Sequence, residues 1–199
     1  MTTQARRQRE RAERERLIIT AARELAEAEG WEAVTTRRLA EAVEYSQPVL
    51  YSHFAGKEAI MAAVAVEGFA ELATDMRTAR ERADDPLAAV AGAYLAFAER
   101  RPALYDAMFS RSLPLPFAAP ETPDALQAGF QELLHVVRPI AGGDDEGQLA
   151  ELLWSALHGL ATLTRGGRLP RELHEARLAL LLRRLTGSPT GSPHRGRSK

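Results

Sequence analysis

The sequence predicts an all-α protein with a small N-terminal three-helix domain and a larger C-terminal helical domain. Apolar residues recur at helical spacing along nearly all of the 199 residues, and turn signals fall between these stretches. The segment Thr35–Lys57 contains two short helices joined by a tight turn. The predicted units are residues 1–56, with a charged arm at 1–15, residues 57–186, and a disordered basic tail at 187–199.

The arm is predicted to extend the first helix into solvent. Arginine and glutamate alternate between Gln4 and Arg16, and opposite charges stand four residues apart, as at Glu10 and Arg14. The first helix then continues to Gly30, which precedes a turn.

The first of the two short helices begins at a pair of threonines. Thr35 and Thr36 are residue types that cap helix N-termini, and Leu39, Ala40 and Val43 follow on one apolar face. We therefore expect one buried side.

The second short helix begins at Ser46. Serine caps helices, and Pro48 fits a first turn, where no N–H partner is needed. Val49, Leu50 and Phe54 are expected to face inward. A helix this short is marginal alone and must be held by its neighbours.

The other side chains of this second helix suit the major groove of DNA. Glutamine can hydrogen-bond base edges there and small apolar surfaces can meet a thymine methyl, so we expect Gln47 and Pro48 to read bases. Phosphates are held by Lys, Arg, Ser, Thr and Tyr side chains and by helix N-termini. The residues predicted to make the remaining DNA contacts are Thr36, Arg37, Ser46, Tyr51, His53 and Lys57. The same helical arrangement also occurs as plain packing in all-α proteins.

Residues 16–64 resemble the N-terminal helix-turn-helix domain of TetR-type transcriptional regulators. The motifs that carry the resemblance are Gly30-Trp31, Thr35-Thr36, Leu39-Ala40, Leu50-Tyr51, His53-Phe54 and Lys57-Glu58. The resemblance implies a sequence-specific regulator that binds double-stranded DNA as a homodimer on a palindromic operator and responds to a small molecule. One position departs from the family pattern, because Glu44 replaces the usual turn glycine. Glutamate adopts a positive φ poorly, so we expect a strained or altered turn with a carboxylate near DNA phosphates.

The basic ends of the chain are further candidates for contact with the DNA backbone. Residues 1–16 hold six arginines and three glutamates, although the net charge of the whole chain is −1. A local basic footprint matters more for phosphate contact than the total charge. Arginines of the arm could therefore reach the DNA backbone, namely Arg6, Arg7 and Arg9, and the basic tail could add weak affinity.

The C-terminal helices are delimited by acidic, proline and glycine signals. Asp85-Pro86 starts one helix, Gly142-Gly143-Asp144-Asp145 stops one segment and caps the next, and four prolines within Leu113–Pro123 predict a loop. The predicted helices are Lys57–Arg82, Pro86–Arg100, a short one from Pro102, Asp124–Arg138, Glu146–Thr164 and Arg171–Leu185.

The last two of these helices carry apolar stripes wider than a single small core needs. Such surface is usually covered by a partner. In TetR-type proteins the last two long helices pair with their copies, which implies a C2 homodimer here.

Within the penultimate helix, Trp154 and His158-Gly159 resemble a Trp-x-x-x-His-Gly pattern found in one group of TetR-type C-terminal domains. His158 is interpreted either as a ligand contact or pH-sensitive interface group, or as a hydrogen-bonded core histidine beside a glycine that permits close helix approach. Both interpretations stay open at this point.

A small-molecule site is expected in the C-terminal domain, implied by the family more than by the residues. Large apolar side chains and a few polar groups suit such a cavity, although aromatic residues at helical spacing are also ordinary core. The candidate ligand-binding residues are Tyr94, Phe97, Tyr105, Met108, Phe109, Phe130, Trp154 and His158. No cofactor or metal is predicted.

Composition and motifs argue against other classes of protein. Without cysteine the chain has no disulfide or thiolate metal site, which favours a reducing cytoplasm, and no apolar run is long enough for a membrane span. There is no Gly-rich phosphate loop, nucleophile elbow or His/Asp/Glu cluster at metal-ligand spacing, so no enzyme is predicted. The sequence predicts a homodimeric repressor relieved by a small apolar or aromatic ligand. The alternatives are an activator, a ligand-independent nucleoid-binding protein, or a helical interaction module that does not read DNA.

Overall fold

The structure is a computed structural model that describes residues 2–109, 115 and 119–187. Across these residues it contains nine α-helices, two short 3-10 helices and no strand, which confirms the all-α prediction. The helices are α1 Thr3–Glu29, α2 Thr36–Ala42, α3 Gln47–His53, α4 Lys57–Arg82, α5 Pro86–Arg100, α6 Pro102–Phe109, α7 Asp124–Val137, α8 Glu146–Arg165 and α9 His174–Leu185.

The helix boundaries lie close to the capping, proline and glycine residues that predicted them. α7 ends one residue earlier than predicted because Pro139 lies in the 3-10 turn Arg138–Ile140, and α9 begins after a second 3-10 turn at Arg171–Leu173. Within the predicted loop, residues 119–123 are not helical. The predicted tail, beyond Gly187, lies outside the described residues.

Side chains cap most of the helices where the sequence predicted caps. Thr35, Asp85 and Asp145 each accept a hydrogen bond from a backbone N–H in the first turn, at 3.2, 3.1 and 2.8 Å. Ser46 occupies the N-cap position of α3, but its side chain makes no cap hydrogen bond. The inward placement of Val49 is also wrong, because this residue is 37% exposed while Leu50 takes the buried position.

Helix α4 is the central element of the fold. Its buried residues run from Ile60 to Met76, and it packs against α1, α5, α6 and α7. Gly68 lets α6 approach closely, because a β-carbon there would stand 2.6 Å from the Met108 sulfur and 2.8 Å from Leu104 Cδ1. The two predicted domains therefore share one continuous apolar core.

The junction between the N-terminal helices and α6 is made by polar contacts as well. Trp31 Nε1 donates to the Ala103 carbonyl at 2.7 Å in a buried position. The Glu27 carboxylate accepts from the backbone N–H groups of Ala103 and Leu104 at 3.2 and 3.1 Å. A carboxylate at a helix N-terminus satisfies free N–H groups and complements the helix dipole, so Glu27 anchors α6 to α1.

A buried carboxylate ties α4 to α7. Glu132 is 4% exposed, and its oxygens accept hydrogen bonds from Arg80 at 2.7 Å and Arg77 at 3.3 Å. The hydrogen bond that Arg80 donates to Glu132 raises the pKa of Arg80. These charge-assisted contacts supplement the apolar packing of the two helices.

The turn between α2 and α3 keeps its shape with glutamate in place of glycine. Glu44 has φ 57°, and it is the only non-glycine residue with positive φ among those described. Its N–H bonds the Glu41 carbonyl at 3.3 Å, and Tyr45 N–H bonds the Ala40 carbonyl at 2.9 Å. This is the Schellman pattern of a helix end, in which the left-handed position favours glycine. The position where strain is expected is therefore occupied by a left-handed glutamate, and its energetic cost stays a prediction.

We predict that Glu44→Gly raises the free energy of unfolding by about 1 kcal/mol, because glycine adopts this φ without steric cost. Glu44→Gln keeps the β-carbon and removes only the charge, so it should leave the stability close to that of the parent. Urea denaturation followed by circular dichroism measures both variants. A Glu44→Gly protein no more stable than Glu44→Gln would contradict the assignment of strain to this backbone position.

Candidate nucleic-acid interface and effector cavity

Helices α2 and α3 form a helix-turn-helix with one side buried against the core and the other side exposed. Leu39 of α2 and Leu50 of α3 are fully buried against the core. Tyr51, one residue further along α3, is 53% exposed, and its hydroxyl lies 3.5 Å from Thr36 Oγ1. The structure thus brings together two of the predicted phosphate-contact residues across the two helices.

The residues predicted to read bases lie at the exposed start of α3. Ser46, Gln47 and Pro48 are all exposed, and Val49 adds apolar surface beside them. Such a mixed polar and apolar surface on a protruding helix suits the base edges of a major groove.

Three other predicted DNA-contact residues already have partners inside the chain. Arg37 forms an exposed ion pair with Glu41 at 3.0 Å, and Lys57 Nζ donates to the Trp31 carbonyl at 2.6 Å. The His53 side chain is only 6% exposed, and its Nδ1 lies 3.3 Å from a Glu15 oxygen. A phosphate would therefore compete with existing contacts at these positions.

A cavity of about 620 Å³ lies among α4, α5, α7 and α8, a size typical of small-molecule sites. Its walls are mostly apolar, and Gln127, Gln131, Glu151 and Ser155 are among its polar groups. Other lining residues are Phe69, Leu72, Met76, Tyr94, Leu126, Gly129, Phe130, Leu133 and Trp154.

Three of the predicted ligand-binding residues line this cavity, namely Tyr94, Phe130 and Trp154. The other five predicted residues are not among the lining residues; Phe97, Tyr105 and Met108 are buried, while Phe109 and His158 are partly buried. The Phe109 ring packs against three residues of the wall, with its centroid 5.1 Å from Phe69, 6.3 Å from Tyr94 and 6.0 Å from Trp154.

Comparison with known proteins assigns both halves of the chain. The family model described as "Bacterial regulatory proteins, tetR family" matches residues 18–64. The model described as "Tetracyclin repressor-like, C-terminal domain" matches residues 87–185. The chain belongs to the TetR family. It is accordingly a DNA-binding transcriptional regulator.

Individual relatives agree with this assignment. An uncharacterised HTH-type transcriptional regulator of Mycobacterium tuberculosis is 31% identical over 153 residues, which cover 75% of this chain and 69% of that protein. The uncharacterised HTH-type regulator YobS of Bacillus subtilis is 33% identical over 95 residues, 47% of this chain and half of its own length. A solved structure of a protein of unknown function from Rhodococcus sp. RHA1 matches with a TM-score of 0.72 at 26% identity, covering 86% of this chain and 95% of that one.

In this TetR-family protein, Trp154 and His158 of the Trp-x-x-x-His-Gly pattern are joined by one series of hydrogen bonds. Trp154 Nε1 donates to the Tyr94 hydroxyl at 3.2 Å, the Tyr94 and Tyr105 hydroxyls are 2.9 Å apart, and Tyr105 is 2.8 Å from His158 Nδ1. Because an indole N–H can only donate, Tyr94 accepts at the first of these contacts, whereas the hydroxyls and the imidazole can each donate or accept at the other two. His158 Nε2, on the other side of the ring, faces the Thr162 hydroxyl at 3.4 Å.

The pKa shifts of these side chains agree with a hydrogen-bond chain whose members are all uncharged. Burial raises the pKa of Tyr94 to about 12 and also raises the pKa of Tyr105. Burial, and then the charge of Arg165, lower the pKa of His158, which favours the neutral imidazole.

These contacts favour the interpretation of His158 as a hydrogen-bonded core histidine. The accompanying idea that Gly159 permits close packing of helices is wrong within one chain, because no atom lies within 4 Å of a β-carbon built there. The side of α8 at Gly159 is open.

Several residues of the site were missed by reasoning from sequence. The cavity wall on α4 is formed by Phe69, Leu72 and Met76, whose i, i+3, i+7 spacing marks a single helix face. That spacing indicates burial but does not distinguish a cavity wall from a packed core. Gln127 and Glu151 lack any local signal, because their role depends on how α7 and α8 meet.

Other kinds of site find no support in the part of the chain that the structure describes. No group of three or more His, Asp or Glu side chains there could hold a metal ion. None of its helices is both long and apolar enough to cross a membrane.

We predict that Tyr105→Phe lowers the free energy of unfolding by about 1–3 kcal/mol, because it removes the hydroxyl that bonds both Tyr94 and His158 in a buried site. Tyr45→Phe removes a hydroxyl outside this chain of hydrogen bonds and serves as the matched control. Chemical denaturation of the three proteins provides the measurement. Equal, small changes in both variants would show that the chain contributes nothing to stability.

Proposed function

We propose that this regulator is a homodimeric repressor whose operator binding is relieved by a small apolar or aromatic ligand in the cavity. The observation that carries the proposal is that one helix serves both sites. α4 begins at Lys57, immediately after the helix-turn-helix, and its residues Phe69, Leu72 and Met76 form a cavity wall. A shift of this helix on ligand binding would change the position of α3.

DNA recognition is assigned to the exposed surface of the helix-turn-helix. Gln47 and Pro48 are proposed to contact base edges, because they are exposed at the start of α3. The phosphate contacts are proposed to come from Thr36, Arg37, Ser46, Tyr51 and Lys57, with His53 placed to orient the end of α3 through Glu15.

Dimerisation is assigned to the outer faces of α8 and α9. Leu152 and Leu163 of α8 are 63% and 38% exposed, and Leu180 of α9 is 45% exposed. Leu152, Gly159 and Leu163 follow one another at i, i+7 and i+11, so they lie on the same side of α8. Apolar side chains beside an open glycine suit close packing against the same helices of a second copy.

Coupling between cavity and DNA is assigned to α6 as well as α4. Tyr105 of α6 belongs to the hydrogen-bond chain that reaches the cavity residues Tyr94 and Trp154, and the first turn of α6 is bonded to Glu27 and Trp31. A ligand that moves Tyr94 would therefore displace α6 against α1. Release requires that the ligand binds the displaced conformation more tightly than the DNA-binding one.

We predict that Gln47→Ala lowers operator affinity by at least about 30-fold, because a dimer loses two base contacts, each worth about 1–3 kcal/mol. The probe is the duplex that the unmodified protein enriches from a random-sequence library, and binding is measured by fluorescence anisotropy. Gln148→Ala, an exposed glutamine of α8, is the control and should bind like the parent. Both variants should sediment as dimers. A monomeric mass, or equal affinity in both variants, contradicts the proposal.

A second prediction concerns the cavity. Gly129 faces it with only Met76 Cε at 4.0 Å from an added β-carbon, so Gly129→Leu should fill the space while Gly129→Ala leaves most of it open. A panel of neutral aromatic compounds is screened for release of the selected duplex. Active compounds should release the parent and Gly129→Ala proteins, and Gly129→Leu should stay bound. Release of Gly129→Leu at the same concentrations would place the ligand elsewhere.

A further inference from the structure

The helix-turn-helix body carries the wrong net charge for a DNA-binding surface. Residues 17–60 hold four lysines or arginines against seven glutamates, so this part of the chain has a net charge of −3. Its cations are also engaged, since Arg38 forms two hydrogen bonds with Glu29 at 2.7 and 2.8 Å and Arg23 pairs with Glu71 at 2.6 Å. Phosphate binding depends on local positive charge, so a basic surface must come from elsewhere in the chain.

Among the described residues, the basic stretch that adjoins this body is the arm, and the structure joins it to α3. The arm is continuous with α1, which begins at Thr3. Arg11 donates to the carbonyl of Ser52 in the last turn of α3 at 3.4 Å, and it also pairs with Glu15 at 2.8 Å. Glu15 in turn lies 3.3 Å from His53. The arm thus has a defined position at the C-terminal end of α3.

The arginines of the arm are not distributed evenly around the helix. Arg7, Arg11 and Arg14 recur at i, i+4 and i+7, and the next position in this series is Ile18, which is fully buried in the core. These arginines therefore lie on the same side of α1 as its core-facing residues, but nearer the N-terminus, where α1 no longer contacts the core. Arg6 and Arg9 lie on other sides, where Arg6 pairs with Glu10.

The dimensions would bring this arginine face near a DNA backbone. α3 has seven residues and is about 10 Å long, and the major groove is about 12 Å wide, so the phosphate strands that border the groove lie within about 12 Å of a helix bound in it. The arm meets α3 at its C-terminal end and extends from Arg11 to Thr3, about 12 Å further at 1.5 Å per residue.

We infer that α1 is a second DNA-binding element, in which Arg7 and Arg14 hold phosphates that flank each half-site while Arg11 fixes the arm to α3. This inference rests on the proposed DNA-reading role of α3. It assigns to the arm most of the positive charge behind the sequence-independent part of the affinity, and the arm adds to the phosphate contacts proposed for the helix-turn-helix body, whose net charge is −3. Bases are then read by α3 alone.

The test compares two double variants of the full chain that lose the same charge from different sides of one helix. They are Arg7→Gln with Arg14→Gln, and Arg6→Gln with Arg9→Gln. Binding to the duplex selected by the parent protein is measured between 50 and 200 mM salt, concentrations at which slopes of this kind are resolved. Each lost phosphate contact lowers the slope of log affinity against log salt by about 0.9. In a dimer the Arg7/Arg14 variant should therefore lose about 3 to 4 from the slope, and the Arg6/Arg9 variant less than about 1.

The outcomes separate this inference from the proposed function. A parent protein that enriches no duplex sequence contradicts the proposed function itself. A parent that binds, with two variants of equal slope, overturns the role of the arm and leaves the role of α3 intact. As a second readout, trimming the base pairs that flank the selected core should weaken the parent and leave the Arg7/Arg14 variant unchanged. Because the substituted side chains are exposed, both variants should keep the helical content of the parent, which circular dichroism checks.

Discussion

Helix α6 lies so close to α4 that a methyl group at Gly68 would meet the Met108 sulfur at 2.6 Å, and much of the remaining structure depends on this contact. It holds Tyr105 where it can bond both Tyr94 and His158. It also sets the first turn of α6 against Glu27 and Trp31 of the N-terminal helices. Because packed helices slide between discrete arrangements and do not deform continuously, a regulator built on this contact can have two states.

Polar contacts supply the specificity of this arrangement, while apolar burial supplies most of its stability. The core is continuous from α1 to α8, which would allow several registers of neighbouring helices. Directional groups select one of them. Glu132 accepts from two arginines of α4, and Trp154 donates its indole N–H to the Tyr94 hydroxyl, since an indole cannot accept.

Charge is divided along the chain in a way that matches the division of labour proposed for DNA binding. The helix proposed to read bases, α3, lies in an acidic body and exposes Gln47 and Pro48, which carry no charge. The arm carries the positive charge and is bonded to α3 through Arg11 and Glu15. Placing affinity and sequence reading on different helices lets each be adjusted without disturbing the other.

The sequence by itself determined the local structure, because caps, prolines and apolar spacing act over a few residues. Thr35, Asp85 and Asp145 marked their helices correctly, and the exposed position of Gln47 followed from the pattern around Leu50. Only the tertiary structure decided which side chains meet. Tyr94 and Tyr105 stand on different helices, Phe69 lines a cavity while Phe97 is packed, and His53 turns to Glu15, because these outcomes depend on how whole helices cross. Residue spacing within one helix carries no information about that crossing.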